Sequence, residues 1–238
     1  MKLSVFPTSI ATARALILRI LTLMKESPNK VFNVAVSGGS TPALMFDLWA
    51  NEYKRSTPWE RLNLYWVDER CVKPTDSESN YGLMNSMLLY TVPIPPDNVH
   101  RIHGENDPES EAERYSNLLR SRLPLEEGWP VFDIILLGAG SDGHTSSIFP
   151  GQEDLLHASV PYVVSTAPIT NQKRICMTGI QILNAHFVFF LVTGSSKTRV
   201  ISEMLQSSDG GPAAYIARHA KNVELFADQV AMGNSSQS

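Results

Sequence analysis

Three stretches of this chain share one layout: an apolar run of strand length, a glycine-bearing turn, and the start of a helix. The first is Val31-Phe32-Asn33-Val34-Ala35-Val36 leading into Ser37-Gly38-Gly39-Ser40-Thr41-Pro42. The second is Phe132-Asp133-Ile134-Ile135-Leu136-Leu137 leading into Gly138-Ala139-Gly140-Ser141-Asp142-Gly143-His144-Thr145. The third is Val188-Phe189-Phe190-Leu191-Val192 leading into Thr193-Gly194-Ser195-Ser196-Lys197. Near-continuous apolar strands alternating with helices build a mostly parallel sheet that is covered on both faces. Ligands of such sheets sit outside the carboxyl ends of the strands, which is where all three turns fall.

The rest of the chain fits that frame. Thr8 or Ser9 is expected to cap a first helix that stops near Ser27-Pro28-Asn29. Further helices are expected over 41–53, 81–89, 108–123, 197–207 and 211–219, with Pro42 at a tolerated first-turn position. Strands are expected over 31–36, 62–67, 99–102, 132–137, 160–166, 174–178, 187–192 and 222–226. Two strand runs between 160 and 180 lack an intervening helix, which points to a short antiparallel patch. With no repeat and no break in composition, the sequence predicts a single-domain α/β fold over residues 1–232. Its centre is a doubly wound, mostly parallel sheet with helices on both faces. The polar tail at 233–238 is expected to be disordered.

Composition narrows the partners. A net charge of −4 argues against a nucleic-acid partner, which demands a basic face, yet leaves room for a small anion held by local cations. Cys71 and Cys176 are too few for a disulfide framework or a metal site, and a reducing cytoplasm is the simpler setting. Residues 11–24 are partly apolar, but Arg14 and Arg19 interrupt them, so neither a secretory leader nor a membrane span is expected.

The chemistry concentrates in the turns. Gly38 and Gly39 let backbone approach a ligand, the following helix offers unpaired N–H groups, and Ser40 and Thr41 add hydroxyl donors. A phosphate is the natural guest, although the same residues also read as a tight turn with a hydroxyl cap. Lys197 adds a point charge if the first and third turns are neighbours, and the loop before it lacks the earlier glycine of a Walker A motif. Arg174, opening a strand, is a third candidate cation.

The run from Gly138 to Gly143 matches a dinucleotide fingerprint by letter but places Asp142 where a pyrophosphate would lie. The glycines are better read as placing Asp142 and His144 at the cleft. A histidine titrates near neutrality, so His144 is the candidate base, with Asp142 orienting its ring. Asp68-Glu69-Arg70 closes the second strand at the same edge: Arg70 is suited to a substrate oxygen or a phosphate, Asp68 to sugar hydroxyls, and three consecutive charges also read as a solvated loop. No trio of His, Cys or carboxylates has metal-ligand spacing, so neither a catalytic metal nor a cofactor is expected.

Taken together these segments resemble the 6-phosphogluconolactonase family. The likeness rests on Ser37 to Pro42, on Trp66-Val67-Asp68-Glu69-Arg70 with Ser79-Asn80-Tyr81 downstream, and on residues 136–150. Arg174-Ile175 and Gly194-Ser195-Ser196-Lys197 follow in order, so the resemblance spans residues 8 to 226. It implies a cytoplasmic, metal-independent hydrolase that opens 6-phospho-D-glucono-1,5-lactone, working as a monomer or weak homodimer. It further implies that His144 activates water while Arg70, Arg174 and Lys197 hold the phosphate or stabilise charge. Two departures fall near Arg174: Cys176 stands where threonine is usual, and residues 167–170 carry fewer prolines. The related glucosamine-6-phosphate deaminases carry Asn-Glu-Pro after the histidine motif, whereas this chain has Ser147-Ile148-Phe149-Pro150.

Overall fold

In the computed structural model, residues 1–206 and 210–233 are described. The elements run in the order β1 (Lys2–Phe6), α1 (Ser9–Glu26), β2 (Phe32–Val36), α2 (Ser40–Glu52), β3 (Leu62–Trp66), β4 (Asp68–Arg70) and α3 (Asn80–Met84). β5 (Val99–His100), α4 (Pro108–Arg122), β6 (Leu125–Glu126), β7 (Trp129–Pro130), β8 (Ile134–Leu137), β9 (Tyr162–Thr166) and β10 (Lys173–Met177) follow. The chain continues through α5 (Gly179–Leu183), β11 (Phe187–Val192), α6 (Thr198–Leu205), α7 (Pro212–His219) and β12 (Val223–Asp228).

Seven strands form one sheet in the order β1-β12-β11-β8-β2-β3-β5. Each neighbouring pair in it is parallel. Every residue of β2, β8 and β12 is buried, as expected of strands covered on both faces. The crossovers β1 to β2 and β2 to β3 step toward the β5 edge, and their helices α1 and α2 pack together. From β8 to β11 to β12 the chain steps the other way, and there α6 packs on α7. Crossovers of one hand that step in opposite directions must lie on opposite faces of the sheet. The direction therefore changes between β2 and β8, and their outgoing turns part there.

The structure departs from the expected elements in instructive ways. Asp68-Glu69-Arg70 does not close the second strand but forms β4, which pairs antiparallel with β10 in a three-stranded sheet that also holds β9. Val67 makes the transfer, donating its N–H to Val36 of the main sheet at 2.9 Å and accepting Met177 N–H of the small sheet at 2.8 Å. The antiparallel patch expected at 160–180 is the β9–β10 pair. The helix expected at 81–89 is α3 followed by a wider turn over Asn85–Leu89, where Tyr90 N–H reaches Asn85 C=O at 3.0 Å. The β6–β7 hairpin and the five-residue α5 carry too little periodicity to be seen in sequence. Residue 207 of an expected helix and residues 234–238 of the expected tail lie outside the described residues.

β1 was also unforeseen, because five residues with outward-facing Leu3 and Val5 give no apolar run. Its place comes from parallel pairing with β12 and from Glu224, a buried carboxylate that accepts from Lys2 Nζ at 2.6 Å and Ser4 Oγ at 2.8 Å. Glu224→Ala is expected to cost on the order of 1 kcal/mol, a fall in Tm of about 2–4 °C. Amide exchange in residues 2–6 should accelerate while the central strands stay protected, which hydrogen-exchange mass spectrometry would check.

Candidate active site

At the change of direction Ser37 is the last residue that ties the two strands, its N–H and Oγ both donating to Leu136 C=O at 3.2 and 3.0 Å. Beyond it a cleft of about 210 Å³ opens between the turns. Gly38, Gly39, Ser40, Thr41, Asp68, Arg70, His144, Arg174 and Lys197 all line it, so segments remote in sequence meet at one site. Asp142 stands behind the lining, against His144. Thr41 Oγ1 and Thr193 Oγ1 lie 3.4 Å apart, which makes the first and third turns neighbours.

Asp142 Oδ1 lies 2.7 Å from His144 Nδ1 and also accepts His144 N–H at 3.2 Å. Partial burial opposes charge on Asp142, but the His144 charge and these donors outweigh it and hold the carboxyl below its ordinary range. An ionised carboxylate only accepts, so Nδ1 carries the proton and Nε2 is the basic nitrogen. The imidazole sits directly over the turn: a Cβ on Gly140 would fall 2.2 Å from Nδ1, so a side chain there would evict it. Phe149 packs on the other side, its ring centroid 4.9 Å from that of His144.

The cations come from three elements, β4, β10 and the turn after β11. Arg70 and Arg174 are Cα partners across the β4–β10 ladder, where like charges facing each other are unfavourable unless an anion intervenes. Both Nε atoms are buried without a hydrogen-bond partner. Burial, and then the charge of Arg70, push the Arg174 pKa down. Lys197 is half-buried rather than a solvated helix start: Nζ donates to Ala139 C=O at 2.8 Å, and burial lowers its pKa against the pull of Asp142.

Asp68 is 6 % exposed, so the charged triple is no solvated loop. Its Oδ2 accepts Ser147 Oγ at 2.6 Å and lies 4.0 Å from Arg174 Nη1, which ties the histidine turn to β4. Two backbone donors of the histidine turn are already used, Gly140 N–H on His144 C=O at 2.8 Å and Gly143 N–H on Gly140 C=O at 3.0 Å. The start of α2 across the cleft offers further backbone N–H groups. Sequence reasoning missed Asn80, whose side chain abuts Gly38 so closely that a Cβ there would lie 1.9 Å from Oδ1. It missed Ser146 too, a lining residue held at φ 53. Both lie in segments that carry the family resemblance, Ser79-Asn80-Tyr81 and residues 136–150, but an Asn after a helix cap and a Ser in a serine pair carry no chemical signal of their own. Among the described residues no group of three or more His, Cys, Asp or Glu is arranged to hold a metal ion.

Asp142 is more acidic folded than unfolded, so the stability it contributes is complete above its unfolded pKa of about 3.9 and is lost as pH falls through its lower folded value. Asp142→Asn should therefore flatten the acid limb of a Tm-against-pH curve. Gly140→Ala should displace the His144 ring and abolish the Nδ1 hydrogen bond, read from the His144 ¹⁵N shifts, with a modest fall in Tm as the Asp142 contact is lost.

A family model described as glucosamine-6-phosphate isomerases/6-phosphogluconolactonase matches residues 7–225. A 6-phosphogluconolactonase of Treponema pallidum is 43% identical over 92% of this chain and 89% of its own length. One of Haemophilus influenzae is 37% identical over 86% of this chain and 88% of its own length. The solved structure of the Trypanosoma brucei 6-phosphogluconolactonase superimposes with a TM-score of 0.88 at 30% identity, covering 99% of this chain and 98% of that one.

Proposed function

The chain belongs to the glucosamine-6-phosphate isomerase/6-phosphogluconolactonase family, and from that premise we propose that it hydrolyses 6-phospho-D-glucono-1,5-lactone to 6-phosphogluconate in the pentose phosphate pathway. The observation that carries the reading is the Asp142–His144 pair at 2.7 Å beside a cleft lined by Arg70, Arg174 and Lys197. A base and an anion site together suit a phosphorylated ester. The histidine motif leads into Ser147-Ile148-Phe149-Pro150, with no carboxylate before the proline to serve a deaminase's ring opening.

In the proposed mechanism Nε2 of His144 takes a proton from water as the oxygen attacks the lactone carbonyl. Asp142 keeps the proton on Nδ1 and stabilises the imidazolium that forms. The tetrahedral oxyanion is met by N–H groups at the start of α2 or by one of the cations, in a partly enclosed site where such contacts count for more than in water. Collapse breaks the bond from the carbonyl carbon to the ring oxygen, and His144 returns its proton to that oxygen. The lactone gains one water and leaves as the open-chain acid. No metal is needed for this sequence. Gly38, Gly39, Ser40, Thr41, Arg70, Arg174 and Lys197 bind the phosphate or balance its charge, and Asp68 orders Arg174 and the serine turn as well as facing the sugar. No helix among the described residues is long and apolar enough to cross a membrane. A cytoplasmic monomer or weak homodimer is the setting we propose.

Turnover is measured by coupled oxidation of 6-phosphogluconate, with spontaneous lactone opening subtracted. His144→Ala should fall by roughly 10² to 10⁴ in kcat, the usual cost of losing a general base. A parent protein no faster than the background would sink the assignment. Rising salt should raise KM more than it changes kcat, because screening weakens exposed phosphate contacts. A salt-independent KM would place the phosphate away from these cations.

A further inference from the structure

One buried charge has no part in that mechanism. Glu69 is 2 % exposed and lies between Asp68 and Arg70, both of which line the cleft. The alternation of a strand turns it away from the cleft, into the protein. There its two oxygens are saturated. Oε1 accepts Arg70 N–H at 2.7 Å and Asn80 N–H at 2.8 Å, while Oε2 accepts Tyr81 N–H at 2.8 Å and Ser79 Oγ at 3.1 Å. All four partners are donors, an arrangement that only a carboxylate satisfies. Burial pushes the carboxyl up, and the backbone donors of Tyr81, Asn80 and Arg70 push back.

The segment so gripped touches the anion end of the cleft twice. Arg70 Nη1 donates to Glu78 C=O at 2.5 Å, so the carbonyl just ahead of the gripped residues holds the guanidinium. Asn80 donates from Nδ2 to Asp68 C=O at 2.8 Å, and its side chain backs the Gly38 turn. The Asp142–His144 pair, on a separate turn, makes no hydrogen bond to Glu69. Gly104 closes the strand from the other side, its α-carbon so near the Arg70 carbonyl that a Cβ would stand 2.2 Å from that oxygen.

We propose that Glu69 is a positioning residue for phosphate recognition: by clamping Ser79, Asn80 and Tyr81 it aims Arg70 and seats the Gly38 turn. The inference rests on the phosphosugar reading above and adds to it the residue that sets the geometry of the anion end. Glu69 touches no substrate, and its effect belongs in KM rather than kcat.

Glu69→Gln preserves volume but turns an N–H₂ group toward donors. With 6-phosphogluconolactone it should raise KM about tenfold or more while kcat stays within about threefold, the size expected when charged hydrogen bonds that serve uniform binding are lost. The rise in Tm that inorganic phosphate gives the parent should vanish in Glu69→Gln and return in part in Glu69→Asp, which keeps the charge. An unchanged KM, or a kcat that drops as far as kcat/KM, overturns the proposal. So does a phosphate-induced Tm rise equal to the parent's. If Glu69→Gln does not fold, Ser79→Ala removes one of the four donors and should raise KM a few-fold, and an unchanged KM there is equally fatal. A parent that opens no lactone, yet loses phosphate protection on Glu69→Gln, would refute the enzymatic reading and leave the positioning role standing.

Discussion

The site depends on one topological constraint, that successive crossovers must keep the same hand while the chain winds outward in two directions from the middle of its sheet. β2 and β8 are hydrogen-bonded neighbours, yet α2 leaves over one face and the chain after β8 leaves over the other. No side chain is required to open the crack between them. The Ser37–Leu136 hydrogen bonds are its floor, and the two glycine turns are its walls. What the sequence adds is the chemistry of each wall, amides and hydroxyls on the β2 side and an imidazole with its carboxylate on the β8 side.

A second sheet gives that crack its charge. β4, β9 and β10 stand apart from the main sheet but are hooked to it at Val67, whose N–H and C=O serve one sheet each. The antiparallel ladder fixes Arg70 opposite Arg174, and Ser147 joins the histidine turn to Asp68 on the same ladder. Base and cations are thus related through short hydrogen bonds and paired strands, with little left to loop motion. Such a scaffold holds the reacting groups in place before any ligand arrives, which is how fixed dipoles and charges contribute most to catalysis.

Much of this could be read from the residues. Continuous apolar runs such as residues 132–137 declare a strand buried on both faces, and a glycine turn after one marks the ligand edge. The same reasoning singled out His144, Lys197 and the Gly38 turn, all of which the structure brings into one cleft. It failed where the signal is not local. β1 is a strand because of β12, and Asp68-Glu69-Arg70 is a separate strand because of β10; neither partner is visible from the segment itself. Glu69 was hidden for a related reason. Three adjacent charges look solvated until the chain folds four donors over the middle one.

His144 remains about one-third open to solvent, with its side chain 34% exposed. In an enzyme that shuttles protons within one substrate, such openness would be a leak, because stray water quenches reactive intermediates. For hydrolysis the leak is the supply line. Under the proposed mechanism the second reactant is present at the concentration of the solvent and needs no binding pocket, only the His144 imidazole in its path. The same open mouth lets a swollen, newly charged product depart by the route its precursor entered.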